Sequence, residues 1–119
     1  TYTALAVEKF PNEVVRFFQD HHTLQNEPNT YAVFDWQLHH SLTILSDNPV
    51  FVMILNGFKE LYLQLAPFYF SILSARQHSY HFYQSLQQAA ENQNPNQARI
   101  LTDIVMQESI IFWKQINLP

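Results

Sequence analysis

Apolar residues in this chain recur every three or four positions, the spacing that places them on one face of an α-helix. Between residues 31 and 46, the apolar positions Phe34, Leu38, Leu42 and Leu45 follow this rule. The predicted helices cover residues 1–10, 12–25, 31–46, 49–73, 74–92 and 94–117. We therefore expect an all-α fold, an antiparallel helical bundle with short loops.

Local signals refine the ends of these helices. Asn48 and Asn94 each precede a proline, a combination typical of a helix N-cap followed by the first helical residue. The segment from Ser74 to Gln77 matches a capping box and predicts another helix start. Gly57 predicts an interruption of the long apolar helix over residues 49–73.

The composition supports a single helical domain and excludes some functions. The chain has 119 residues, of which 47% are hydrophobic and one is glycine, so turns rich in glycine are not available. The net charge is −4 with six Lys and Arg residues, which argues against direct binding of DNA or RNA. There is no cysteine, and no apolar run is long enough to predict a membrane span.

Two predicted helices each carry a stripe that mixes apolar surface with polar groups. The first stripe consists of Phe58, Tyr62, Leu65 and Tyr69. The second consists of Thr102, Met106, Ser109, Trp113 and Ile116. This mixture is typical of a pocket for a long apolar ligand with a polar end. Ordinary core packing, with the polar atoms at the edge of the core, explains the same spacing.

Asp35 and His39 lie four residues apart, and a helix places both side chains on one face. They could be two ligands of a metal, to which His78 or His81 would add a third. We favour the alternative, a semi-buried hydrogen-bonded pair, and predict no metal site.

The remaining histidines and the motif search give no indication of a catalytic site. His21 and His22 fall at a predicted helix C-terminus, where a cation or a donor to backbone carbonyls is favourable. No zinc-protease, nucleophile-elbow, P-loop or dinucleotide-binding motif is present. We therefore predict that the chain is not an enzyme and needs no cofactor.

The run FDWQLHHSLTILSDNPVFVMILNGFKELYLQLAPFYF resembles the effector domain of the FadR family of fatty-acid-responsive regulators, in the GntR superfamily. The resemblance extends without a gap over the whole chain. Positions that carry it include Asn48-Pro49, Ile54-Leu55-Asn56-Gly57, Lys59, Leu61-Tyr62, Tyr69-Phe70, Ala75-Arg76, Phe82-Tyr83, Glu108-Ser109, Trp113 and Asn117-Leu118-Pro119.

The resemblance implies a homodimeric, cytoplasmic transcription factor that binds no membrane. In that family an amino-terminal winged helix-turn-helix domain reads operator DNA, and the carboxy-terminal helical domain binds long-chain acyl-CoA. Binding of the acyl-CoA releases the DNA. Residues 1–119 would form the effector domain only, as a fragment that lacks the DNA-binding domain.

The family's acyl-CoA pocket includes two tyrosines that match Tyr62 and Tyr69, and a serine and a tryptophan that match Ser109 and Trp113. Together with Phe58 and Met106 from the two stripes, these are the predicted ligand-binding residues. Best-known members carry Tyr-Gly where this chain has Val105-Met106, and methionine would fill or reshape the space that glycine leaves. Asp103 and Ile104 replace two arginines that could face the CoA phosphates.

Two alternatives remain open at this point. Asp35 and His39 also match the first metal-ligand pair of the related FCD domains, which would sense a carboxylate through a metal. The two later histidines of that site fall here at Tyr83 and Val105, which are poor ligands. The other alternative is a dimerisation module whose pocket is filled by Met106.

Overall fold

The computed structural model describes residues 1–116, and within this range the chain forms seven α-helices and no strand. The helices are α1 (Tyr2–Lys9), α2 (Pro11–Asp20), α3 (Pro28–Leu45), α4 (Pro49–Gly57), α5 (Lys59–Phe70), α6 (Leu73–Glu91) and α7 (Pro95–Trp113). The predicted all-α bundle is therefore confirmed.

Two of the predicted N-caps are formed by their asparagines. The Asn48 side-chain oxygen accepts from the backbone N–H of Val50 at 3.0 Å, and the Asn94 oxygen accepts from Gln97 at 3.0 Å. Each satisfies an amide that the first turn of a helix leaves without an intrahelical partner. Both helices begin where the asparagine–proline pairs predict.

The predicted capping box at Ser74 is wrong. Helix α6 begins at Leu73, its N-cap is Ile72, and no side chain caps it. The Ile72 carbonyl accepts from the backbone N–H groups of Ala75 and Arg76, so the first helical turn is already closed before Ser74 could act.

Other helix boundaries also differ from the sequence prediction. Helix α2 ends at Asp20 instead of near residue 25, and α3 begins at Pro28 instead of residue 31. The predicted long helix is divided at Gly57 into α4 and α5, as the glycine indicates. The structure ends α7 at Trp113, and the predicted end near residue 117 lies outside the described residues.

The histidines at the end of α2 cap it, as predicted. Nδ1 of His21 lies 2.8 Å from the Phe17 carbonyl, and Nδ1 of His22 lies 3.0 Å from the Gln19 carbonyl. Both carbonyls belong to the last turn of α2, and the Phe17 carbonyl also accepts the backbone N–H of His21.

The packing of the helices leaves a space beside α7. Helix α3 packs against α1, α4 and α5, while α6 packs against α2 and α7. Leu38, Leu42 and Leu86 are fully buried at the centre of this core. Of the nineteen residues of α7, the structure buries Ala98 and Thr102, both near its start. Further along α7, Leu101, Val105 and Phe112 are partly buried against the core, while Met106 and Trp113 stay exposed.

No helix formed by residues 1–116 has the length and apolar character needed to cross a membrane.

Candidate functional site

A cavity of about 460 Å³ lies between α7 and the bundle, and side chains from α1, α3, α4, α5, α6 and α7 line it. Its buried wall is mostly apolar and aromatic, with Trp36, Ala66, Tyr69, Phe70 and Phe82, and also includes the hydroxyl side chains of Thr3, Ser79 and Thr102. Its rim on α7 is exposed, with Met106 at 60% and Trp113 at 36%. The cavity is thus an apolar recess that opens along α7.

Five of the six predicted ligand-binding residues line this one cavity. They are Tyr62, Tyr69, Met106, Ser109 and Trp113. The two polar–apolar stripes of α5 and α7 therefore face the same space, although no sequence rule places them together. The part that these residues play in ligand binding stays a prediction.

Phe58, the sixth predicted residue, does not line the cavity. It is 56% exposed and lies at the junction where α4 ends and α5 begins. The helical spacing that places Phe58 in line with Tyr62 assumes one continuous helix. The break after Gly57 removes that register.

An aromatic contact joins α5 and α7 at one end of the cavity. The ring centroids of Tyr69 and Trp113 are 4.9 Å apart, and those of Tyr69 and Phe112 are 6.1 Å apart. Burial and, to a smaller extent, the Asp35 charge raise the pKa of Tyr69 to about 12, against the effect of a hydrogen bond with Ser79. The Tyr69 hydroxyl therefore stays protonated at neutral pH and remains a potential donor.

Met106 does not fill the cavity. Its side chain is 60% exposed at the rim, and its carbonyl accepts the Ser109 hydroxyl at 2.8 Å. A filled pocket would require Met106 to be buried between Tyr62 and Trp113. The structure therefore gives no support to the alternative of a filled pocket.

Asp35 is the centre of a polar network on the cavity wall. Its carboxylate accepts the hydroxyl of Tyr62 from α5 and that of Tyr83 from α6, the latter at 2.6 Å. The same carboxylate lies 3.5 Å from Nε2 of His39. The other ring nitrogen of His39 hydrogen-bonds to the Tyr2 hydroxyl of α1 at 2.8 Å. The network thus ties four helices together.

The charges of this network stabilise one another. Burial alone would raise the pKa of Asp35, but the His39 charge and the tyrosine hydrogen bonds outweigh it, so that this pKa lies below its usual value. Burial alone would lower the pKa of His39, but the Asp35 carboxylate reverses this effect and raises it. Burial and the Asp35 charge raise the pKa of Tyr62 and Tyr83, which therefore remain hydrogen-bond donors.

The predicted Asp35–His39 pair is present and semi-buried, with side chains 14% and 21% exposed. Within residues 1–116, no three His, Asp or Glu side chains come close enough to hold a metal. Tyr83, the predicted counterpart of a metal-binding histidine of the FCD domains, donates its hydroxyl to Asp35. His81, the other potential ligand, is exposed. These contacts favour the hydrogen-bonded pair over half of a metal site.

Sequence reasoning missed all three tyrosines as partners of the pair, since it singled out Tyr62 only for ligand binding and did not single out Tyr2 or Tyr83 as donors. Tyr83 is 48 residues from Asp35, and Tyr2 is 37 residues from His39. Neither distance follows a helical repeat, so only the tertiary fold brings these groups together. A buried aspartate's need for donors is the one signal that could have prompted a search for them.

The seven helices of residues 1–116 and the apolar cavity beside α7 define the class of this chain, an all-α bundle with a recess of small-molecule size. Residues 1–119 match the family described as the FadR C-terminal domain, and the chain belongs to this family.

Several relatives carry the name "fatty acid metabolism regulator protein". The protein from Shewanella frigidimarina is 36% identical over 116 residues, which are 98% of this chain and 48% of that protein. The protein from Shewanella pealeana is 35% identical, over 94% of this chain and 47% of that protein. The protein from Shewanella denitrificans is 40% identical over 75% of this chain and 37% of that protein. At its longest match, this chain spans about half the length of its relatives.

Proposed function

We propose that this chain is the ligand-sensing part of a regulator of fatty acid metabolism and binds long-chain acyl-CoA in the cavity beside α7. In the full-length, cytoplasmic and dimeric protein, binding would release operator DNA from a separate DNA-binding domain. The observation that carries the proposal is the cavity itself, which has apolar walls and five of the predicted contact residues around it.

The size and chemistry of the cavity suit an acyl chain. Its volume of about 460 Å³ falls in the range of about 300–1,000 Å³ that is usual for small-molecule pockets. Trp36, Phe70 and Phe82 give the acyl chain an apolar part of the wall, whereas Asp35 and His39 line another part. Near the rim, Tyr69 and Trp113 offer a hydroxyl and an indole N–H to a thioester carbonyl.

The position of α7 along the open side of the cavity suggests how binding could change the protein. The ligand would contact Met106, Ser109 and Trp113 on α7 and, at the same time, Tyr62 and Tyr69 on α5. Such contacts favour one arrangement of α7 over others, and a ligand shifts an equilibrium only by its differential affinity for the two states. We therefore expect the ligand to move α7, and we expect this movement to transmit binding to the rest of the full-length protein.

Replacing Trp113 by alanine tests whether the cavity is the binding site. We expect the affinity for oleoyl-CoA to fall about tenfold, because an aromatic wall of the cavity and its contact with Tyr69 are lost. Helix content should change little, since Trp113 is 36% exposed. Calorimetric titration measures the affinity, and circular dichroism measures the helix content.

Ile111→Ala is the matched control for this experiment. Ile111 is an apolar residue on the same helix, 60% exposed, and does not line the cavity. Its variant should bind oleoyl-CoA like the wild type. Two results would contradict a binding site in this cavity. In one, both variants lose the same amount of affinity; in the other, Trp113→Ala binds oleoyl-CoA as tightly as the wild type.

A further inference from the structure

A polar contact between α6 and α7 lies next to the cavity but outside its lining. Nε2 of His78 on α6 forms a hydrogen bond with the carboxylate of Glu108 on α7. Neither residue lines the cavity, but the residues that follow them in the chain, Ser79 and Ser109, both do. The pair therefore ties α6 to the part of α7 that carries the predicted ligand contacts.

This pair is the one side-chain hydrogen bond that joins α7 to another helix within residues 1–116. The other side-chain hydrogen bonds of α7 stay within the helix and its cap, and involve Asn94, Arg99, Thr102 and Ser109. Leu101, Val105 and Phe112 pack against the core, but apolar packing has no preferred direction. The His78–Glu108 hydrogen bond therefore adds a directional restraint that the apolar contacts of α7 do not supply.

The His78 ring makes both its polar and its aromatic contact with α7. Its Nδ1 is buried and has no hydrogen-bond partner among the described residues. Because a carboxylate only accepts hydrogen bonds, His78 donates from Nε2, and in the neutral ring Nδ1 then carries no proton that would be left unpaired. The ring also lies against Phe112 of α7, with the ring centroids 5.4 Å apart.

The aromatic contact continues from His78 to the cavity wall. The ring centroids of Phe112 and Tyr69 are 6.1 Å apart, and those of Tyr69 and Trp113 are 4.9 Å apart. Tyr69 and Trp113 both line the cavity. Glu108 and Phe112 lie one helical turn apart on α7, so a displacement that separates Glu108 from His78 would also displace the aromatic rings beside Tyr69.

We propose that His78 is a positioning residue for ligand binding, and that its pair with Glu108 holds α7 in the arrangement that binds the acyl chain. This inference rests on the proposed function and adds to it a contact outside the cavity that controls the affinity. When the pair is broken, α7 samples other arrangements, and the affinity falls with the fraction of molecules that remain competent to bind. Because the Glu108 side chain is 51% exposed, we expect a modest loss of about three- to fivefold.

The variants Glu108→Ala and Glu108→Gln test the proposal, because both remove the same charge and only glutamine keeps an oxygen that can accept from His78. In calorimetric titration, Glu108→Ala should bind oleoyl-CoA about three- to fivefold more weakly than Glu108→Gln. His78→Ala should lose at least as much affinity, and adding Glu108→Ala to it should cause no further loss, since the pair is already broken. His81→Ala is the control on α6, at an exposed position outside the cavity lining, and should bind like the wild type.

Amide hydrogen exchange without ligand separates a positioning role from a general loss of stability. In Glu108→Ala, exchange should become about fivefold faster in the second half of α7. It should stay unchanged in α3 around Leu38 and Leu42, because a local opening of α7 does not unfold the core. A variant that is merely destabilised would also show faster exchange in α3.

Several results would overturn the inference and leave the proposed function in place. They are equal affinities of Glu108→Ala and Glu108→Gln, a further loss when Glu108→Ala is added to His78→Ala, and exchange in α7 that stays at the wild-type rate or rises together with that of α3. A wild-type protein that binds no oleoyl-CoA would remove the proposed function itself, and the inference would fall with it.

Discussion

Replacing Asp35 by alanine should lower the free energy of unfolding by about 3–5 kcal/mol, the usual cost of removing one member of a buried ion pair. Asp35 accepts hydrogen bonds from Tyr62 and Tyr83 and pairs with His39. Hydrogen bonds to a charged group contribute about 1.5–3 kcal/mol each. The alanine variant leaves all three partners without their acceptor in the wall of the bundle. Urea denaturation at pH 6 measures the change.

Asp103→Ala is the control for this stability measurement. Asp103 also forms an ion pair within one helix, with Arg99, but both side chains are more than half exposed. Pairs of this kind contribute about 0–1 kcal/mol, so the control should change stability by about 0.5 kcal/mol or less. Similar losses in the two variants would mean that the Asp35 network adds no special stability.

The pH dependence of stability gives a second readout of the same network. The folded-state pKa of Asp35 is lowered, so its contribution is present above its ordinary pKa of 3.8 and is lost as pH falls through the lower folded value. The folded-state pKa of His39 is raised, so its contribution is complete below 6.5 and is lost as pH rises through the higher folded value. The stability difference between wild type and Asp35→Ala should therefore be largest between pH 3.8 and 6.5.

The affinity for acyl-CoA should rise steeply with the length of the acyl chain. Each methylene moved from water into an apolar cavity contributes about 0.8 kcal/mol. Between octanoyl- and hexadecanoyl-CoA, eight methylenes would give about 6 kcal/mol, or about 10⁴-fold in the dissociation constant, if all of them are buried. The cavity of about 460 Å³ sets a limit, and the gain per methylene should disappear once the chain fills it.

Calorimetric titration with a series of saturated acyl-CoA compounds of increasing chain length measures this dependence. Because all of them carry the same CoA headgroup, differences in affinity within the series report on the acyl chain alone. A heat-capacity change that becomes more negative with chain length should accompany the gain, as expected for burial of apolar surface. Affinity that does not depend on chain length would show that the chain stays outside the cavity.

Local sequence rules predicted those parts of the fold that depend on neighbouring residues. The caps of α4 and α7 formed as predicted, because an asparagine oxygen has only to reach an amide two or three residues ahead. The same kind of rule failed at Ser74. There the Ile72 carbonyl had already accepted the first helical amides, and a four-residue pattern does not show where the preceding turn ends.

Helical spacing predicted the faces of α5 and α7 but not their relation to each other. Tyr62, Tyr69, Met106, Ser109 and Trp113 line one cavity because the fold places α7 beside the bundle. Phe58 shows the limit of this reasoning, since a single break in the helix turns a residue out of the predicted face. The three tyrosines that complete the Asp35–His39 network, Tyr2, Tyr62 and Tyr83, come from elements far away in sequence, and no periodicity could have identified them as its partners.

Calorimetric titration of this chain with oleoyl-CoA, and separately with CoA, tests the central claim most directly. We predict saturable binding of oleoyl-CoA with one site per chain and no measurable binding of CoA, because burial of the acyl chain in the cavity supplies most of the binding free energy. A folded sample that binds neither compound, or binds both equally well, would contradict an acyl-binding cavity beside α7.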